Sequence, residues 1–196
     1  PHLHSRLRRQ RQMCIRDRLK AQPISDTSPE IWMLGTSNYG AQLAAYLGIP
    51  YCYAYFITEG QGIEESIKNY KENFKPSKFL NKPKVNVCLW ALASDDDEKA
   101  EYLFASRAYW KIARNYGELD TLKSPKDALS KLNENNWMSE FKNMISNSIV
   151  GSSETVKNKI NSIKDDNDFD ELTILTWCHD EKERINSYKI FSELIN

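Results

Sequence analysis

The amino-acid sequence predicts an α/β protein whose parallel strands are joined by crossover helices. Three observations carry that expectation. Short β-rich runs alternate four times with longer stretches of helical period, the order that parallel βαβ units produce. The longest run, Val85 to Ala93, is broken only by Asn86, as in a strand covered on both faces. Finally, 196 residues of which 40% are apolar correspond to one domain or part of a larger one, with material for a sizeable core. No apolar run reaches the roughly 18 residues that a membrane span needs.

Each element has its own signal. Ile31 to Leu34 reads as the first strand, stopped by Gly35, and the helix after it carries Ala41, Ala44, Ala45 and Leu47 before Gly48 ends it. Pro50 introduces a second strand, Tyr51 to Ile57, in which Tyr51, Tyr53 and Tyr55 alternate with Cys52, Ala54 and Phe56, so each set faces one side of the sheet. Ile63, Ile67, Tyr70 and Phe74 form the apolar face of the next helix, which ends before Pro76. The third strand is Val85 to Ala93. Ser94 is the expected cap of the helix that follows, with Asp95, Asp96 and Asp97 at its positive end and Arg107, Lys111 and Arg114 toward the other.

Residues 116–149 are polar and too long for a simple connection. They are expected to hold short helices, one marked by Trp137, Phe141 and Ile145 at four-residue spacing. Ser153 is the expected cap of a helix with Val156, Ile160 and Ile163 on one face. The fourth strand is Leu172 to Cys178, and Asp180 with Glu183 forms a capping box for the last helix, which should bury Tyr188, Phe191 and Ile195. Four βα units suit an open doubly wound sheet or half of an eight-stranded barrel, which takes about 250 residues when complete. The pattern leaves both open.

Charge divides the chain. The 27 basic and 27 acidic residues cancel, which removes the electrostatic argument for a nucleic-acid or anionic-membrane partner. Yet six of the nine arginines (Arg6, Arg8, Arg9, Arg11, Arg16, Arg18) fall in the first 18 residues, opposed only by Asp17. A nucleic-acid-binding arm, a targeting peptide and non-native sequence compete for this head. It lacks the Met start and Ser-rich amphipathic pattern of a transit peptide, and residues 11–18 resemble the translation of a sequencing adapter. The expectation is therefore a non-native or disordered head over 1–18, with His2, His4 and Cys14 excluded from any site. Cys52, Cys88 and Cys178 are isolated from one another, without zinc or redox spacing, and read as buried free thiols of a cytoplasmic protein. With His179 the only remaining histidine, neither a Ser-His-Asp set nor a multi-His metal site is easily assembled.

The most informative stretch is Gly35-Thr36-Ser37-Asn38-Tyr39-Gly40, between a strand and a helix. Glycines allow tight turns, hydroxyls donate hydrogen bonds, and the N–H groups of a helix start attract anions. Ala41 and Gln42 stand where a P-loop requires Lys and Ser/Thr, and the dinucleotide pattern G-x-G-x-x-G is absent. Spacing alone leaves a choice between a phosphate cradle and a well-capped turn.

Several stretches, in order along the chain, resemble the bacterial luciferase-like flavin monooxygenases. Ile31 to Ser37, Ala41 to Ala45 and Gly48-Ile49-Pro50-Tyr51 are similar to that family's fifth and sixth strands. Tyr70 with Phe74-Lys75-Pro76-Ser77, Val150 to Val156 with Ser153 in place of a proline, and Arg184 with Ser187-Tyr188 resemble later family motifs. The resemblance implies the C-terminal half, strands five to eight, of a TIM-type (β/α)8 barrel over 19–196, with a helical insertion at about 116–149 that serves as a lid or as an ordinary excursion.

It further implies reduced FMN as cofactor, O2 as co-substrate, a small organic substrate such as an aldehyde, a flavin reductase as supplier, and a homodimer or heterodimer. The FMN phosphate would lie on Gly35, Thr36, Ser37 and Gly40, with Ser37 the side-chain donor, because Thr36 and Gly40 depart from the luciferase pattern. Tyr55 and Phe56 are the candidates nearest a flavin ring, while Tyr51 and Tyr53 read as core. His179 reads as a solvated residue and Asp180 as a cap. A half-barrel has open strand edges, so the chain alone is expected to be inactive. Two rival readings are a non-catalytic, partner-closed half-barrel and a deazaflavin-dependent oxidoreductase.

Overall fold

The structure is a computed structural model and describes residues 29–118 and 120–195, with only the backbone of Ile195. The arginine-rich head, with its His2, His4 and Cys14, lies outside the described residues, as does the expected burial of the Ile195 side chain. Residues 31–196 form one compact unit.

Five strands, β1 (Met33–Gly35), β2 (Tyr51–Tyr53), β3 (Val85–Ser94), β4 (Ile149–Ser152) and β5 (Glu171–Leu175), form one parallel sheet. Its order is β1-β2-β3-β4, with β5 also paired to β3. The long β3 is the hub. Its residues 85–87 pair with β2, 86–90 with β5 and 91–94 with β4.

Eight helices follow in the described residues: α1 (Asn38–Leu47), α2 (Tyr55–Thr58), α3 (Ile63–Glu72), α4 (Asp97–Asn115), α5 (Pro125–Glu134), α6 (Met138–Asn147), α7 (Ser153–Asp166) and α8 (Glu181–Ile195). The α/β class and the parallel order agree with expectation; several boundaries do not.

The second strand does not run to Ile57. It stops at Tyr53 because the Ala54 N–H turns to the Gly35 carbonyl at 3.0 Å, and Tyr55 begins the short α2. The Tyr53 hydroxyl, 2.7 Å from the Gln61 carbonyl and 2.9 Å from Thr58 Oγ1, ties the turn back over the strand end. The first strand is shifted to Met33–Gly35, because its pairing starts where the Met33 N–H meets the Pro50 carbonyl. Ser94 ends β3 opposite Ser152, and Asp96 caps α4 through the Lys99 N–H at 2.7 Å.

Ser152, not Ser153, caps α7. The unexpected β4 is only four residues long, too short for a period to show. The last strand ends at Leu175, because the Thr176 N–H goes to the Tyr188 hydroxyl at 3.0 Å rather than into a ladder. Tyr188 is therefore tied down yet exposed, and Leu47 is exposed as well. Asp180 accepts from the N–H of Glu183 and of Lys182, but the Glu183 carboxylate pairs with Lys99 at 3.0 Å instead of closing the box. Cys88 and Cys178 are buried free thiols and Cys52 a half-buried one; Cys178 lies beyond β5.

Two apolar clusters hold the elements. The first joins one face of the sheet (Tyr51, Tyr53, Val85, Val87, Leu89) to helices on that side, through residues such as Ala44, Ile67, Val156 and Phe191. Tyr51 and Tyr53 thus belong to the core as expected. The second lies around α4, where Ala128 and Leu132 of α5 and Phe141 and Met144 of α6 pack with Leu92 and Val150. On β5, Leu172 and Ile174 join the first cluster while Glu171, Thr173 and Leu175 remain exposed, so the opposite face of the sheet is open at that strand. A polar ladder crosses that face. Asn86 donates to Thr173 Oγ1 at 3.0 Å and accepts from the Cys52 thiol at 3.3 Å.

Candidate functional site

Parallel strands bring their C-terminal ends to one edge, where α/β folds place their ligands. Thr36 follows β1, Ala54 follows β2, and Thr176 with Trp177 follows β5.

The turn after β1 contains all four residues expected to meet a phosphate. Ser37 is the N-cap of α1: its Oγ accepts from the Gly40 N–H at 3.3 Å and its carbonyl accepts from Ala41. The Gly35 carbonyl is fixed twice, by the Ala54 N–H and by the Tyr51 hydroxyl at 3.1 Å. Burial pushes that phenol up to about 12, so it stays a donor. From α3, the buried Ser66 hydroxyl lies 3.5 Å from the Thr36 carbonyl and 3.4 Å from Asn38 Oδ1, while Glu65 receives the Asn38 amide at 2.6 Å.

Ser37 is exposed and Gly35, Thr36 and Gly40 are half-buried. A Cβ at Gly35 would meet nothing within 4 Å, so the cradle opens onto free space. Residues 35–45 carry no charged side chain; the first turn of α1 holds no acidic residue of its own, and the carboxylate that meets it, through Asn38, is Glu65 of α3.

Phe56 and Trp177, just past the ends of β2 and β5, belong to an aromatic cluster. Phe56 of α2 stacks on Trp90 of β3 at 5.5 Å between centroids, Trp90 lies 5.1 Å from Trp177, and Trp110 meets Trp177 edge-on at 5.0 Å. The structure separates two neighbours that the sequence paired. Phe56 enters this cluster, whereas Tyr55 packs against the first core. His179 is exposed, and Asp180 acts as the cap it was expected to be.

Arg107 is the residue sequence reasoning misplaced. It is not near the end of α4 but in its middle, 4% exposed, with its Cζ 3.5 Å from the Trp90 ring centroid. Burial pulls its guanidinium down to about 9, against the field of Glu59, so it is still a cation at neutral pH. The signal was available: Arg107 follows Ala100 by seven residues and Leu103 by four, the spacing of one helix face, and both of those are buried. Among the described residues no group of three or more His, Cys, Asp or Glu is placed to hold a metal ion, and no helix is long and apolar enough to cross a membrane.

The parallel sheet with its crossover helices forms part of a TIM-type barrel. Its structural likeness to apo-MsnO8 bears this out, with a TM-score of 0.76 at 22% identity over 91% of this chain and 54% of that one. The chain belongs to the luciferase-like monooxygenase family, whose family model matches residues 6–166. It is 32% identical over 162 residues to a luciferase-like monooxygenase of Escherichia coli, covering 82% of this chain and 48% of that protein.

A second solved structure of similar fold is the oxygenating constituent of 3,6-diketocamphane monooxygenase from Pseudomonas putida, in complex with FMN. It shows 18% identity, 86% and 48% coverage and a TM-score of 0.58. The chain spans about half the length of the curated relatives it matches.

Proposed function

We propose that this chain forms the phosphate-binding half of a flavin-dependent monooxygenase, which oxidises a small organic substrate with O2 and reduced FMN delivered by a flavin reductase. The observation that carries the reading is the Ser37-capped, uncharged start of α1 opening from the end of β1. It fits a phosphate: helix N–H groups point outward, the Ser37 hydroxyl keeps its proton free to donate, and open space adjoins Gly35. Gly35, Thr36, Ser37 and Gly40 would hold that phosphate, Thr36 and Gly40 through the backbone.

When bound, reduced FMN supplies the electrons for activating O2 and transferring one oxygen atom to the substrate. The chain's own residues bind, orient and keep water out. Tyr51, Ala54 and Ser66 hold the cradle's carbonyls so that its N–H groups stay aimed outward. Phe56, Trp90 and Trp177 form an apolar wall at the same edge of the sheet. No acid, base or metal set is required of this half, because the cofactor carries the chemistry.

The test compares FMN with riboflavin, which lacks the phosphate, by flavin fluorescence quenching on the purified chain. FMN should bind at least about tenfold more tightly, as expected for a few charge-assisted hydrogen bonds. S37A should remove most of that difference, without O2 consumption by the chain alone. Equal affinity for the two flavins, or no binding of either, would overturn the reading.

A further inference from the structure

The aromatic cluster holds a guanidinium whose Nε and Nη1 find no acceptor among the described residues. Arg107 rises from the middle of α4 into the gap between Phe104 and Trp90, with Cζ 5.2 Å from the first ring centroid and 3.5 Å from the second. Its Nε and Nη1 are fully buried and have no hydrogen-bond partner among the described residues. The acidic side chain whose field it feels, Glu59, is already held by Lys111 at 2.8 Å.

An indole face attracts a guanidinium, but it offers no acceptor to the N–H groups. Buried donors are nearly always satisfied, and a buried charge is costly unless paired. Here the compensation is incomplete.

We propose that Arg107 receives the carboxylate of the organic substrate, which is therefore an apolar carboxylic acid lying along Phe56, Trp90, Trp110 and Trp177. The assignment rests on the flavin monooxygenase reading above and specifies its substrate class. Three features select this chemistry. A planar guanidinium matches the planar carboxylate. One unpartnered cation suits a monoanion, since Lys111 is engaged and the phosphate cradle lies elsewhere, after β1. The surrounding aromatic rings favour an apolar body and exclude the water that would otherwise solvate both charges. The rival source of a delocalised monoanion at this place is the ring of reduced flavin, and the experiment separates the two.

The chain is titrated with octanoate and with octanamide, its uncharged analogue, while tryptophan fluorescence is followed. The same is done with oxidised FMN and with dithionite-reduced FMN. Octanoate should bind about tenfold more tightly than octanamide, the size of one charge-assisted hydrogen bond. R107M should bring octanoate down to the octanamide level, and R107K, which keeps the charge but not the plane, should retain part of the preference. Octanamide binding should stay the same in all three proteins, which shows that the apolar contacts are intact.

Equal binding of the two probes by the wild-type chain, binding of neither, or a preference that survives R107M would overturn the assignment. So would weakened binding of reduced FMN in R107M with octanoate unaffected, which would give the arginine to the flavin. The FMN-over-riboflavin preference reports separately on the flavin reading. Its loss with the octanoate preference intact overturns that reading while carboxylate binding at Arg107 stands, and the converse overturns this assignment alone.

Discussion

Ser187 Oγ accepts the backbone N–H of Ala93 at 2.9 Å, so the last helix supplies a hydrogen bond to β3 beyond the end of its pairing with β5. Ser187 is fully buried and Ala93 nearly so. Thr176 joins them, its hydroxyl donating to the Ala91 carbonyl at 2.9 Å. Replacing Ser187 by Ala strands a buried N–H, which should cost about 1–3 kcal/mol. Urea unfolding should show a lower midpoint with unchanged slope, and a midpoint equal to wild type would mean that water satisfies Ala93 instead.

Gly48 answers a different need. It stands at φ +63°, the left-handed end of α1, and a Cβ there would lie 2.5 Å from both the Lys75 carbonyl oxygen and Ser77 Cβ. The Ser77 hydroxyl closes the joint by donating to the Gly48 carbonyl at 2.8 Å. Gly48→Ala should therefore cost more than the roughly 1–2 kcal/mol of the left-handed backbone alone, read as a lowered Tm. A change within a few tenths of a kcal/mol would show that the Lys75–Ser77 turn moves aside freely.

These two joints explain which parts of the sequence could be read. Tyr70, Ser77, Gly151, Ser187 and Tyr188, which carried much of the family resemblance, prove to be fasteners between elements. Tyr70, for example, donates to the Ile49 carbonyl and accepts the Lys84 N–H. Such residues bond across distant parts of the chain, so no local period announces them and only the family's own pattern marks them. The βα rhythm and most helix stops were legible because periodicity and caps are local.

β4 was missed because four residues show no period, and the early end of β2 depends on bonds to Gly35 and Gln61 that only the folded chain makes. The cradle was legible as a turn, since its residues are contiguous. The aromatic cluster was not, because residues 56, 90, 110 and 177 meet only after three strands and α4 have assembled.

Gly40 separates the cradle's backbone from its stability. It lies inside α1 with no positive φ, and a Cβ there would meet only Ser37 Oγ at an ordinary 3.7 Å. Gly40→Ala should therefore raise stability by about 0.5–1 kcal/mol, the usual gain of Ala over Gly in a helix. Its N–H, which donates to Ser37 Oγ, remains, so the cap and with it FMN affinity should hold. An affinity loss together with raised stability would show instead that the phosphate lies against the Gly40 α-carbon.

Asp97 is one of the carboxylates through which acid acts on stability. Its carboxylate accepts the Ser152 N–H at 2.6 Å and the Thr155 hydroxyl at 3.2 Å, joining the first turns of α4 and α7. Gly151 is required there, because at its φ of +150° a Cβ would collide with Thr155 and Asp97. The Ser152 N–H, more than any other contact, holds Asp97 below its usual carboxylate value.

A carboxyl group whose folded value is lowered contributes stability that is fully present above the unfolded value, about 3.9, and is lost as pH falls through the lowered one. Asp97→Asn keeps an acceptor but never ionises. The gap between wild-type and D97N urea midpoints should therefore be widest near neutrality and close progressively below about pH 3.9. A gap that stays constant across that range would show that the joint depends on the shape of the acceptor and not on its charge.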